Sequence, residues 1–176
     1  MERPKSLRSQ LTGSWSLESY YAYLPKDPSD IYHPMGPNAT GIIMYEIERN
    51  GSPMYTSDGY MSAQLCNPEP SSTAAQPYIA YTGAFWLDEA GDEKGPLLHH
   101  QMRDSNLSAL RGDVQRRLMK ITDENDGSRY LTLAPEGPMV IGPDGLERVL
   151  VVRWKRLEDN SDGLRSHPSK DVGGKL

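Results

Sequence analysis

Apolar and polar residues alternate in short runs along most of the chain, and turn dipeptides separate the runs. From Trp15, one set of alternate positions holds Leu17, Ser19, Tyr21 and Tyr23, and the other holds Ser16, Glu18, Tyr20 and Ala22. A period of two puts such sets on opposite faces of a strand, so the first set is the inner face if Trp15 points inward. Runs rich in β-branched and aromatic residues occupy 15–23, 41–48, 60–65, 79–87, 97–102, 114–121, 130–134 and 147–157. In the last run Val149, Val151 and Arg153 share one face, and Leu150, Val152, Trp154 and Arg156 share the other. Both of these faces are partly apolar, and alternation alone leaves their sides open. Asn50-Gly51, Asp58-Gly59, Asp126-Gly127 and Asp144-Gly145 supply the positive φ angles of tight hairpins. Helical periodicity is absent over longer windows, although 71–76 and 106–110 can each form one helical turn. About eight strands joined by hairpins predict an all-β fold, either an up-and-down antiparallel barrel or a sandwich.

Composition narrows the class. The 176 residues suit one domain with a sizeable core. Hydrophobic residues make up 36%, with 16 Gly and 14 Pro, the balance of a chain with many turns. Residues 1–10 are polar and read as a flexible start, and 158–176 read as a disordered tail with too little apolar surface to offset ordering entropy. The folded body is then 11–157. A net charge of −5, with Arg116-Arg117 and Lys155-Arg156 as the densest basic spots, argues against a nucleic-acid partner. Nothing approaches the roughly 18 apolar residues of a membrane span. The opening Met1-Glu2-Arg3-Pro4-Lys5 lacks the apolar run of a secretory signal. The single cysteine, Cys66, allows no intrachain disulfide and suits a reducing compartment. The expectation is a soluble cytoplasmic protein whose Asn-x-Ser/Thr triplets at Asn38 and Asn106 stay unglycosylated.

The first run opens Leu11-Thr12-Gly13-Ser14-Trp15-Ser16-Leu17-Glu18-Ser19-Tyr20. A glycine there lets the backbone cross the closed end of a small barrel, and the indole plugs that end. Pro34-Met35-Gly36-Pro37-Asn38-Ala39-Thr40-Gly41 then leads to Tyr55-Thr56-Ser57-Asp58-Gly59-Tyr60-Met61-Ser62-Ala63-Gln64. Tyr78-Ile79-Ala80-Tyr81-Thr82-Gly83-Ala84-Phe85 precedes His99-His100. Gln115-Arg116-Arg117, Leu131-Thr132-Leu133 and Val152-Arg153-Trp154-Lys155-Arg156 close the series. In this order the segments resemble the lipocalin-like domain family, the compact group distinct from the secreted lipocalins, over nearly the whole body. The resemblance implies an up-and-down antiparallel lipocalin-like β-barrel of about eight strands with little helix. Two departures stand out. The family usually runs from Gly-x-x-x-Tyr directly into Thr-x-Asp-Gly, whereas 46–55 separate Tyr45 from Thr56 here and are expected to lengthen a rim hairpin. The family often has a helix before Tyr-Ile-Ala-Tyr, whereas three prolines break up 67–77, so a short irregular lid is expected.

Candidate chemistry follows from the strand positions. His99 and His100 are neighbours on a strand, so only one can reach a lumen. Such a histidine serves as a general acid/base, as a hydrogen-bond donor to a substrate carbonyl, or as a structural group bonded to a backbone carbonyl. His33 is the nearest third ligand and sits in a distant loop, so no metal is expected. The resemblance places Arg116 at the family's arginine on the adjacent strand, where a guanidinium can stabilise an enolate or carboxylate. Its alternative job is to close the barrel end against Trp15, for which Arg153 and Arg156 compete. Ten tyrosines against one phenylalanine suit a pocket that grips a flat scaffold and orients oxygens, or simply reflect β-propensity. The candidates for binding are Tyr21, Tyr23, Tyr45, Tyr55, Tyr60, Gln64, Tyr81 and Trp86. Met35, Met44, Met54, Met61 and Met102 suit a pliable wall or core filling. Cys66 has no evident base, and nucleophile-elbow, phosphate-loop and dinucleotide motifs are missing.

Family members resembling this chain occur beside fungal natural-product pathways, where related small barrels act without cofactors on polyketide or terpenoid intermediates. The resemblance therefore implies a cofactor-free cyclase, isomerase or Diels–Alderase-like pericyclase with a small hydrophobic substrate. A non-catalytic carrier of a hydrophobic metabolite and an acid/base isomerase or dehydratase are the alternatives. Strand edges and the 46–55 hairpin can support a homodimer.

Overall fold

In the computed structural model, residues 6–46, 59–69 and 77–158 are described. A short helix α1 (Leu7–Leu11) leads into β1 (Gly13–Leu24), β2 (Asp27–Tyr32), β3 (Thr40–Glu46), β4 (Tyr60–Cys66) and β5 (Tyr78–Asp92). Then come β6 (Gly95–Gln101), β7 (Asp104–Ser105), a 3₁₀ turn at Ser108–Leu110, β8 (Val114–Asp123), β9 (Arg129–Ala134), β10 (Met139–Val140) and β11 (Glu147–Arg156). Strands β1, β3, β4, β5, β6, β8, β9 and β11 pair antiparallel in that order, and β11 returns to β1, closing an eight-stranded barrel. Closure leaves these eight strands without an open edge.

The eight apolar runs are the eight barrel strands. The three short extra strands went unpredicted for a physical reason. Most of β2 is exposed and opens Asp-Pro-Ser-Asp, which carries neither alternation nor β-propensity. The turn expected over 106–110 forms as the 3₁₀ turn. Ser6 caps the α1 turn, which brings Leu11 into the core. Most of the 46–55 insert, the 71–76 turn and the tail from 159 onward lie outside the described residues.

One end of the barrel is plugged. Trp15 is fully buried, and its indole Nε1–H donates to the Leu11 carbonyl at 2.8 Å. The Arg156 guanidinium lies over the Trp15 ring at 4.9 Å and donates to the Gln10 carbonyl at 3.3 Å. Of the three arginines considered for this closure, Arg156 takes it. Arg153 is outside, stacked over Tyr130 at 3.9 Å and paired with Glu124. Gly13 is required at the plug because it sits at φ 119°, where a Cβ would stand 2.2 Å from an Arg156 nitrogen.

The faces of β1 differ from simple alternation. Leu17 pairs with Trp154, but Ser19 pairs with Arg153, so Glu18 is an extra residue in a bulge. Glu18 and Ser19 are therefore not on alternate sides, and parity flips beyond them. Tyr20 and Ala22 face inward, opposite Val152 and Leu150, while Tyr21 and Tyr23 face outward, opposite Val151 and Val149. The open alternative in β11 resolves with Leu150, Val152 and Trp154 inside.

Gly13→Ala should lower unfolding free energy by roughly 1–3 kcal/mol, through strain at positive φ and the clash with Arg156. Gly137→Ala, where an added methyl meets nothing within 4 Å, should change it by less than about 0.5 kcal/mol. Urea denaturation of the two variants tests this.

Candidate ligand-binding site

The unplugged half of the barrel holds a cavity of about 260 Å³. That is near the lower end of the roughly 300–1,000 Å³ common for small-molecule sites. Leu65, Ile79, Leu133, Leu150, Val152 and Trp154 give it apolar walls. Leu107 and Leu110 from the 3₁₀ segment, with Met139 of β10 and Ile141 just after it, form its rim. Tyr20, Tyr81, His100, Gln115 and Arg117 supply the polar groups. A larger recess of about 420 Å³ lies among Ser62, Gln64, Thr82, Asn106 and Arg111, but it is open and polar and sits on the outside of β4 and β5.

Strand parity positions each polar side chain. His100 pairs with Gln115, and Leu98 pairs with Arg117, so all four share the inner face. His99 pairs with Arg116 on the outer face. The β5 residues Ile79, Tyr81 and Phe85 point inward, and Trp86 points outward.

His100 is buried, and its Nε2 lies 2.9 Å from the Tyr45 hydroxyl. Burial, then the Arg117 charge, then His99 push its pKa down to about 3, so it is neutral near pH 7. Burial raises the Tyr45 phenol well above its ordinary value, with Tyr81 adding to the rise and Arg117 opposing it. Burial lifts Tyr81 to about 12 and also raises Tyr20, in each case against the Arg117 charge. All three phenols therefore keep their protons. Arg117 donates to Gln115 Oε1 at 2.5 Å and to the Arg116 carbonyl at 3.1 Å. The Trp154 indole N–H is buried with no partner among the described residues.

The rim is held by Arg148, which is 4% exposed. It donates to Asp144 at 2.8 and 2.7 Å and to the Ile141 carbonyl at 2.7 Å, and it lies over the Tyr32 ring at 5.2 Å. This bidentate contact holds the Asp144 carboxyl down to about 2. The Asp144-Gly145 turn and β2 are thereby joined above the cavity.

The structure divides the sequence candidates. Tyr81 and His100 line the cavity, and Tyr45 lies beneath it, bonded to His100 and edge-on to Phe85 with centroids 5.1 Å apart. His99 is outside, stacked on Trp86 at 5.1 Å. Arg116 is also outside, in an exposed ion pair with Glu136 at 3.0 Å. Tyr60, Gln64 and Trp86 are exposed on the outer face, since their strand neighbours Met61, Ala63, Leu65 and Phe85 take the interior. The bulge at Glu18 turns Tyr21 and Tyr23 outward. Tyr55 and Met54 lie outside the described residues. His33 approaches the Tyr20 carbonyl at 3.3 Å, and no three His, Cys, Asp or Glu side chains among the described residues are grouped to hold a metal. Sequence reasoning missed Tyr20, Gln115 and Arg117. Two of them follow only from the β6–β8 pairing, which sets Gln115 opposite inward His100 and so puts Arg117 on the same face.

The unfolded chain protonates His100 near 6.5, and the folded chain does so only near 3. Acidification through that window therefore favours unfolding. The imidazole signals of His100 should stay fixed between pH 5 and 8 in NMR titrations. His100→Gln should flatten the fall of melting temperature between pH 6.5 and 4.

No curated protein and no solved structure matches the chain at a significant level. A family profile described as a lipocalin-like domain matches residues 12–157, which is the whole barrel including the plug, the polar cluster and the rim. The chain belongs to the lipocalin-like domain family.

Proposed function

We propose that the barrel takes up a small, largely apolar molecule and cyclises or isomerises it without a cofactor, as a Diels–Alderase-like host for a polyketide or terpenoid intermediate. The observation that carries this reading is the polar cluster set into one side of an otherwise apolar cavity. A wall of Leu, Ile and Val can hold a guest in one folded conformer. Arg117, Tyr20 and Tyr81 can then polarise a carbonyl oxygen as charge develops on it. An intramolecular cyclisation balances within the substrate and needs no oxidant or co-substrate.

The neutral state of His100 bears on the choice of reaction. A general acid/base works best with a pKa near the working pH, and His100 is pushed down to about 3. This favours polarisation by hydrogen bonding over the isomerase or dehydratase that shuttles a proton through histidine. The non-catalytic carrier remains the second reading, supported by the same apolar walls.

Incubation with linear polyketide or terpenoid intermediates separates the two. A catalyst raises the rate or changes the ratio of cyclised products, and the rate varies less than about threefold between pH 6 and 8. Arg117→Met should cost at least about tenfold in rate, on the scale of losing an oxyanion donor. Unchanged product ratios and rates with bound intermediate would leave the carrier.

A further inference from the structure

We infer that the ligand of the lumen is a monoanion, a compact hydrophobic body bearing one carboxylate or one enolate-type oxygen, and that it binds with this oxygen against Arg117 and the Tyr20 and Tyr81 hydroxyls. The inference rests on the reading above that the lumen receives a small hydrophobic molecule, and it names the chemical class of that molecule.

The first ground is the pairing of charge. Arg103, Arg116, Arg129, Arg148 and Arg153 each have a carboxylate partner. Arg117, the arginine that lines the cavity, has none among the described residues. Its two contacts are the neutral Gln115 side chain and a backbone carbonyl. A guanidinium has five N–H donors in a planar fork, so capacity for a further acceptor is left.

The second ground is the cavity's donor and acceptor balance. Among the described residues, no Asp or Glu lines it. Tyr20 and Tyr81 remain protonated, and neither hydroxyl is hydrogen-bonded to another described residue. Trp154, also in the wall, has a buried N–H without an acceptor. The demand of this surface is for an oxygen that accepts several hydrogen bonds.

The third ground is the amount of charge. His100 stays neutral, so among the described residues Arg117 is the one cation facing the cavity. One negative charge neutralises it, whereas a dianion such as a phosphate monoester would bring an uncompensated charge into apolar surroundings. The remaining walls are hydrocarbon, and about 260 Å³ limits the body they enclose.

Isothermal titration with 2-naphthoate and the near-isosteric 2-naphthamide tests the inference. The wild-type protein should bind the acid at least about tenfold more tightly than the amide, on the scale of charge-assisted hydrogen bonds. Arg117→Met should abolish that preference and leave amide affinity within about threefold. Arg117→Lys should keep part of the preference, and Arg116→Met, outside the barrel, should keep all of it. Unchanged circular dichroism and melting temperature qualify each variant. Equal binding of acid and amide by the wild type, or a preference that survives Arg117→Met, overturns the monoanion and leaves the lumen as a ligand site. Binding of neither probe overturns the ligand-site reading and the monoanion with it.

Discussion

Everything in this protein depends on the antiparallel seam between β1 and β11. It runs from Trp15 opposite Arg156 to Tyr23 opposite Val149 and turns a sheet with two free edges into a closed wall. The same seam builds the plug, because it brings Arg156 over the Trp15 ring at the point where Gly13 leaves room for the guanidinium. Large side chains are spent at that end: Trp15, Tyr45, Phe85 and Leu11 are all buried there or packed into the same core. At the other end the wall residues, large ones such as Tyr20, Tyr81 and Trp154 among them, stand around a hollow that they do not fill.

The seam also sets the electrostatics of the hollow. The bulge at Glu18 brings Tyr20 into the lumen and sends Tyr21 and Tyr23 out. Across the cavity Arg117 supplies a charge that opposes burial at three phenols and reinforces it at His100. The result is a set of neutral hydroxyls and a neutral imidazole around one cation. In the proposed function such groups stabilise charge on a guest, because a low-dielectric wall strengthens each contact and the strands fix its direction. The Arg148–Asp144 pair fixes the rim in a similar way, by tying a turn of the chain to the wall.

The strands and the plug were legible in the sequence because each has a local physical signature. Alternation marks a half-buried strand, and Gly13 ahead of Trp15 marks a backbone crossing under an indole. The candidate site was legible only in part. Tyr45, Tyr81 and His100 lie on stretches of regular pairing, since the shift in β5 comes only between Asp88 and Asp92, and they face inward. Tyr21 and Tyr23 do not, because a bulge leaves no mark in composition and a one-residue slip reverses every later side chain. The choice between Arg116 and Arg117 turns on the same parity. It is fixed by the pairing of β8 with β6, a contact distant in sequence. In β11 both faces are partly apolar, so only closure against β1 says which is the lumen.

Adjacent residues on β11 offer the most direct measurement. Val152 lines the cavity, and Val151 lies on the outside of the same strand. With methyl-labelled protein, addition of a small hydrophobic carboxylic acid should shift the methyl resonances of Val152, Leu150 and Leu133 and leave those of Val149 and Val151 in place. Shifts confined to Val149 and Val151 would put the guest on the outer wall and contradict a ligand-holding lumen.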